Sequence, residues 1–131
     1  MSTVTTKSLD VCPGIKLFLR NGIPGVTVNT KEFGNTTPDK AILIRRIGSF
    51  GGDEYNPIDN ARILIVCRDT SAKKATALYN QVRNLFHRKG NYMAGEVSVL
   101  WSMENAGPND SNDDKGIPTV DGIYQFKCRE V

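Results

Sequence analysis

An α+β fold is what this sequence predicts, in the form of a small, mostly antiparallel β-sheet packed by one main amphipathic helix and a short N-terminal helix. Two observations carry that expectation. Between Ser71 and His87 apolar side chains recur at helical spacing, and around that segment lie strand-length blocks that either alternate or run apolar, separated by clusters of Gly, Pro, Asn and Asp.

Taken in order, the first ten residues are polar and rich in Ser and Thr, and they are expected to be flexible unless a partner orders them. From Ile15 a short helical pattern, Ile-Lys-Leu-Phe-Leu-Arg, follows Pro13 and is expected to stop at Asn21-Gly22, where glycine can take a left-handed turn. Val26 to Asn29 alternates as a first short strand, and Gly34 to Asp39 is turn chemistry. Lys40-Ala-Ile-Leu-Ile-Arg-Arg-Ile47 reads as a central strand, with Ala61-Arg-Ile-Leu-Ile-Val-Cys-Arg68 as its antiparallel partner. Between them residues 48–60 make a long hairpin loop, beyond the usual 2 to 5 residues.

Asp69-Thr-Ser71 supplies capping oxygens for the main helix, and Gly90-Asn91 is expected to end it. At about 100° per residue, Ala72, Ala75, Leu78, Tyr79, Val82, Leu85 and Phe86 share an arc of about 140°, one buried face. Glu96 to Ser102 alternates with Val97, Val99 and Trp101 on one side. Gly122 to Val131 alternates with Tyr124, Phe126 and Cys128 inside and Gln125, Lys127 and Arg129 outside. The predicted order is helix, three strands, helix, two strands, and residues 103–121 form an acidic loop between the last two.

A chain of 131 residues, 39% hydrophobic and 24% charged, fits one domain with one core. It has no apolar run of membrane-spanning length, and its start lacks the pattern of a secretory signal, so it reads as cytoplasmic. Three cysteines at wide spacings (Cys12, Cys67, Cys128) fit neither a disulfide framework nor a zinc site and are expected to be reduced. The net charge of +3 is unevenly spread. Residues 103–121 hold five acids against Lys115, a balance of −4, so the remainder carries +7.

No residue pattern advertises catalysis or a cofactor. His87, the lone histidine, falls on the polar arc of the helix and reads as solvated. Asp110 to Asp121 half-matches a calcium loop, but its glycine falls one position late and its flanks read as strands, which favours a solvated turn and no metal. Gly48-Ser-Phe-Gly-Gly52 lacks the lysine and spacing of a phosphate loop. Tyr79 and Trp101 read as core or core-edge aromatics. Arg45, Arg46, Arg62 and Arg68 on adjacent strands could form a basic patch for a nucleic-acid-binding module, although no exposed aromatics interleave with them. They equally suit strand-edge protection and protein interfaces.

The succession Asn21-Gly-Ile-Pro24, Ala41-Ile-Leu-Ile-Arg-Arg-Ile-Gly48, an Asp- and Pro-containing loop, Ala61-Arg-Ile-Leu-Ile-Val66, a helix from Ser71 and a closing Asp121-Gly-Ile-Tyr124 strand resembles the tail terminator proteins of long-tailed bacteriophages and related tail-completion and minor capsid subunits. The resemblance implies a non-enzymatic virion protein, a subunit of a homo-oligomeric ring, commonly a hexamer. Such a ring caps the tail tube protein, meets the head-completion or connector protein, and lets DNA pass through its lumen without sequence-specific binding. It would be assembled in the host cytoplasm and sit at the head–tail junction, with no membrane and no cofactor. A different head–tail connector or neck protein is the alternative within the same class. Within this reading Phe50, Asp53 and Tyr55 of the hairpin loop, with Arg45 and Arg46 as charge partners, are the expected contacts to a neighbouring subunit.

Overall fold

A computed structural model describes residues 10–30, 32–49 and 58–130, with the side chain of the last of these left aside. The element order is α1 (Cys12–Gly22), β1 (Thr27–Asn29), β2 (Ala41–Ser49), β3 (Ile58–Arg68), α2 (Ala72–Phe86), β4 (Lys89–Ala94), β5 (Val97–Asn112) and β6 (Pro118–Glu130). The strands form one six-stranded sheet in the order β1-β2-β3-β6-β5-β4, parallel between β1 and β2 and antiparallel elsewhere. Among the described residues it is a mixed fold of one mostly antiparallel sheet and two helices.

Both helices lie on one face of the sheet. On α2, Ala75, Leu78, Tyr79, Val82 and Phe86 are buried, which is the stripe set by its apolar spacing, while Ala72 at its start is exposed and Leu85 half-buried. Ser71 caps it, its side chain accepting the Lys74 N–H at 3.2 Å. Phe86 is the hub of an aromatic cluster, with ring centroids 5.1 Å from Phe126, 5.4 Å from Phe18 and 6.3 Å from Tyr124. Helix α1 touches β1 and β2 at one edge of the sheet and β4 at the other, so the sheet curls around its helices. That approach requires Gly14, where a Cβ would come within 2.1 Å of the Ala94 carbonyl oxygen.

Several expected boundaries move. Gly22 stays helical against Leu85, and the left-handed turn comes later, at Gly25 with φ of 82°. Helix α2 ends at Phe86, and the left-handed residues after it are Arg88 and Asn91, not Gly90. Strand β4, Lys-Gly-Asn-Tyr-Met-Ala, has no alternation to reveal it and exists because it pairs with β5.

The expected acidic loop at 103–121 is not a loop. β5 continues to Asn112 and β6 begins at Pro118, paired from Met103↔Gln125 down to Asn112↔Pro118, and only a tight turn joins them. Polar residues of low strand propensity are held there because β6 offers a strand to pair with, even though register shifts on either side of Ala106 interrupt the ladder. The expected common face of Val97, Val99 and Trp101 is also overturned. A register shift between Val99 and Trp101 inserts Leu100, so buried Ser102 takes the inward position opposite Phe126 and Trp101 sits half-buried on the other face, opposite Lys127.

Candidate functional site

The hairpin stem is the first place to look for function. Arg45 and Arg46 are adjacent on β2, so their side chains leave opposite faces of the sheet. Arg45 is exposed on the face away from the helices. Arg46 lies on the helix side and is committed within the chain, its Nη1 and Nη2 donating to Asp59 Oδ2 and Oδ1 at 2.7 and 2.8 Å and Nη2 also to Ser49 Oγ at 2.7 Å. That fork rivets β2 to β3 at the base of the hairpin. Phe50, Asp53 and Tyr55, and the rest of the glycine-rich stretch after Ser49, lie outside the described residues.

The suggested basic patch of Arg45, Arg46, Arg62 and Arg68 is split. Arg68 is 2% exposed and works as a clamp. It donates to the carbonyl oxygens of Thr37, Pro38 and Asp39 and to Asp113 Oδ2 at 2.8 Å, with the Phe33 ring 4.1 Å from its guanidinium carbon. One side chain thereby ties the connection before β2 and the β5–β6 turn across the end of β3. Arg68 shares the sheet face of Arg45 and Arg62 by register, but its clamp buries it, and only Arg45 and Arg62 are exposed there.

Asp113 shows why the half-matched calcium loop is a turn. Its Oδ1 accepts the N–H groups of Lys115 and Ile117 at 3.0 and 2.8 Å. Burial pushes its carboxyl upward, but the N–H of Ile117, the Arg68 guanidinium and the N–H of Lys115 outweigh that and lower its pKa. Among the described residues no group of three or more His, Cys, Asp or Glu could hold a metal ion.

His87 departs from its reading as a solvated residue. The helix ends just before it, and its ring turns back to the sheet, where Nδ1 accepts the Glu104 N–H at 3.1 Å. Desolvation, then Arg83 and Arg88, lower its pKa, which keeps Nδ1 an acceptor at neutral pH. Glu104 itself accepts from the Tyr79 hydroxyl, from Arg83 Nε at 3.4 Å and from the Tyr124 hydroxyl at 3.4 Å. The Tyr79 hydroxyl lies so close to Gly122 that a Cβ there would fall 2.0 Å from it. This part-buried cluster was missed in the sequence because Glu104 lies 17 to 25 residues from Tyr79, Arg83, His87 and Tyr124, and meets them only when β5 runs under α2. Each group is satisfied by another, so the cluster pins α2 to the sheet.

The cysteines are unpaired, and burial pushes the Cys128 thiol up to about 12 and raises Cys67 and Cys12 as well. At neutral pH they are thiols packed in or beside the core, without the thiolate character of a nucleophile.

What remains is a surface. On the sheet face away from the helices, Leu43, Leu64, Val66 and Ile123 form a half-buried apolar belt across β2, β3 and β6. Towards the hairpin Arg45, Arg62, Lys127 and Arg129 stand on the same face. At the opposite end Asp121 is bonded by Asn109, and the whole margin of β5 from Asn105 to Asn112 is exposed. An apolar belt flanked by basic residues at one end and by Asp121 at the other has the make-up of a surface that another macromolecule covers.

A family model described as bacteriophage tail terminator protein matches residues 25–120, from β1 into β6. No curated protein matches the chain.

Proposed function

Starting from the premise that this chain belongs to the bacteriophage tail terminator protein family, and so is a structural protein of the phage tail, we propose that it is the subunit of a ring that caps the finished tail tube and joins it to the head-completion proteins. The observation that carries this reading is the family match over most of the chain, and an apolar sheet face of the kind that assembly covers supports it. The ring surrounds a lumen through which DNA passes, and six copies is the number the sequence resemblance implies. The hairpin between β2 and β3 is a further contact region in this proposal. Phe50, Asp53 and Tyr55 reach a neighbouring subunit, Arg45 contributes its charge on the stem, and Arg46 holds the stem through Asp59.

Two experiments test this. Tails purified from infected cells and imaged with a label on this chain should carry it at the head-proximal end; a label at the baseplate or in the capsid would defeat the reading. Deleting Gly51 to Asn56 should leave a folded chain that no longer caps tails, and capping by the deletion variant would remove the hairpin from the contact. A label confined to the capsid-side connector would identify the alternative, a neck protein.

A further inference from the structure

We propose that the open sheet face and the margin of β5 are the two halves of one contact between copies of this chain, the margin of one copy seating on the outer face of the next. This rests on the ring reading above, because a closed ring joined head to tail needs two different, complementary surfaces on every subunit.

The first support is in the strands themselves. Ala41-Ile-Leu-Ile44 and Ile63-Leu-Ile-Val66 are unbroken apolar runs, the pattern of strands covered on both faces. Ile42, Ile44, Ile63 and Ile65 are fully buried on the helix side. Leu43, Leu64 and Val66 point the other way, and among the described elements both helices lie opposite them. The connection before β2 and the β5–β6 turn cover this face only at the Ala41 and Arg68 end, and over Leu43, Leu64, Val66 and Ile123 the described residues leave part of the apolar surface in solvent.

Charge selects the occupant. Above Asp121, the outward positions of β2, β3 and β6 among the described residues include Arg45, Arg62, Lys127 and Arg129 and no acid. Two of the acids in residues 103–121 are neutralised inside the fold, Glu104 by Arg83 and Asp113 by Arg68. Asp110 and Asp114 remain exposed, on β5 and in the turn beside it, with Lys115 of the same turn against them, so the margin keeps a balance of −1. A basic apolar face and an acid-bearing margin on one molecule are complementary to each other in two copies.

The margin is also shaped for side-chain contact. β4 pairs with β5 only as far as Ser102, leaving the edge from Asn105 to Asn112 without a described strand neighbour. Pro108 and the register shifts on either side of Ala106 break up that edge, which discourages strand addition and leaves side chains as the means of docking.

The test uses the full chain in two charge-reversed forms. One carries Asp110→Lys with Asp114→Lys, the other Arg45→Glu with Lys127→Glu; circular dichroism and thermal melting confirm that each folds. Sedimentation should give an assembled wild type, and each variant alone should associate roughly 100-fold more weakly. An equimolar mixture should recover the wild-type mass, since alternating copies then meet opposite charges around a ring of even number. If the wild type assembles only on tails, the same samples are compared by the fraction of tails capped. Variants that assemble like wild type, or a mixture that stays dissociated, would overturn the proposal while leaving the ring reading intact. Absence of the wild-type chain from tails would instead remove the ring reading. A face-reversed variant that assembles normally but loses retention on DNA would assign the face to DNA and overturn the proposal.

Discussion

Along β3, Ile63, Ile65 and Cys67 are wholly buried beneath the helices, whereas Leu64 and Val66, alternating with them on the same strand, keep part of their surface in solvent. The same contrast runs through β6, where Tyr124, Phe126 and Cys128 are buried and Ile123, Gln125 and Lys127 are half-buried. The two faces share one backbone and differ in cover: both helices pack along one, whereas on the other the described chain packs only at the Arg68 end. On the covered face burial is converted into folding stability. On the open face apolar area remains available for association, because burying it is worth about 25 cal/mol per Å² whichever molecule supplies the cover.

The sharpest break of this contrast would come from comparing truncations across the sheet. Phe126→Ala removes a fully buried ring from the aromatic cluster and should cost about 3 to 5 kcal/mol in urea unfolding. Ile123→Ala on the open face should cost the isolated chain about 1 kcal/mol and weaken assembly. Equal losses of stability would mean that the open face is already covered within the subunit.

Next in size is Arg68→Ala, which strands Asp113 and three carbonyl groups and should cost about 3 kcal/mol. Because the folded pKa of Asp113 lies below its ordinary 3.8, its contribution is complete above that value and lost as pH falls through the folded one. Wild type should therefore lose more stability than Asp113→Asn on acidification below about pH 4, as followed by fluorescence melts across pH.

Ser71→Ala should cost about 1 kcal/mol by removing the cap of α2, with assembly unaffected, since the helix belongs to the covered side. The smallest effect concerns His87. Its pKa is lowered on folding, so its contribution is present above the unfolded value of 6.5 and declines as pH falls below it, when Nδ1 gains a proton and ceases to accept from Glu104. The neighbouring charges on this ring are Arg83, Arg88 and Glu104. His87→Asn, which keeps an acceptor that does not titrate, should flatten a drop of under about 1 kcal/mol between pH 7 and 5.

Where side chains were chosen by local periodicity, the sequence was legible. The buried stripe of α2 and the inward set of β6 follow from spacing alone, because a helix and a strand each impose one repeat and the apolar residues obey it. β4 and the polar half of β5 obey no such repeat. Their pairing partners, not their own propensities, make them strands, and the inserted Leu100 reverses the face of Trp101 in a way that no alternation count reveals.

The candidate site divides in the same way. Local sequence marked the arginines but could not distinguish an exposed Arg45 from Arg46 in its fork with Asp59 or Arg68 in its buried clamp, since partners 13 to 45 residues away decide the difference. By itself the sequence determined the two helices, the stripe of α2, the inward set of β6 and the apolar runs of β2 and β3, because those depend on neighbours a few residues apart. Only the tertiary structure decided which acids are neutralised inside the fold and which remain on the β5 margin, because charge compensation depends on distance in space and not along the chain.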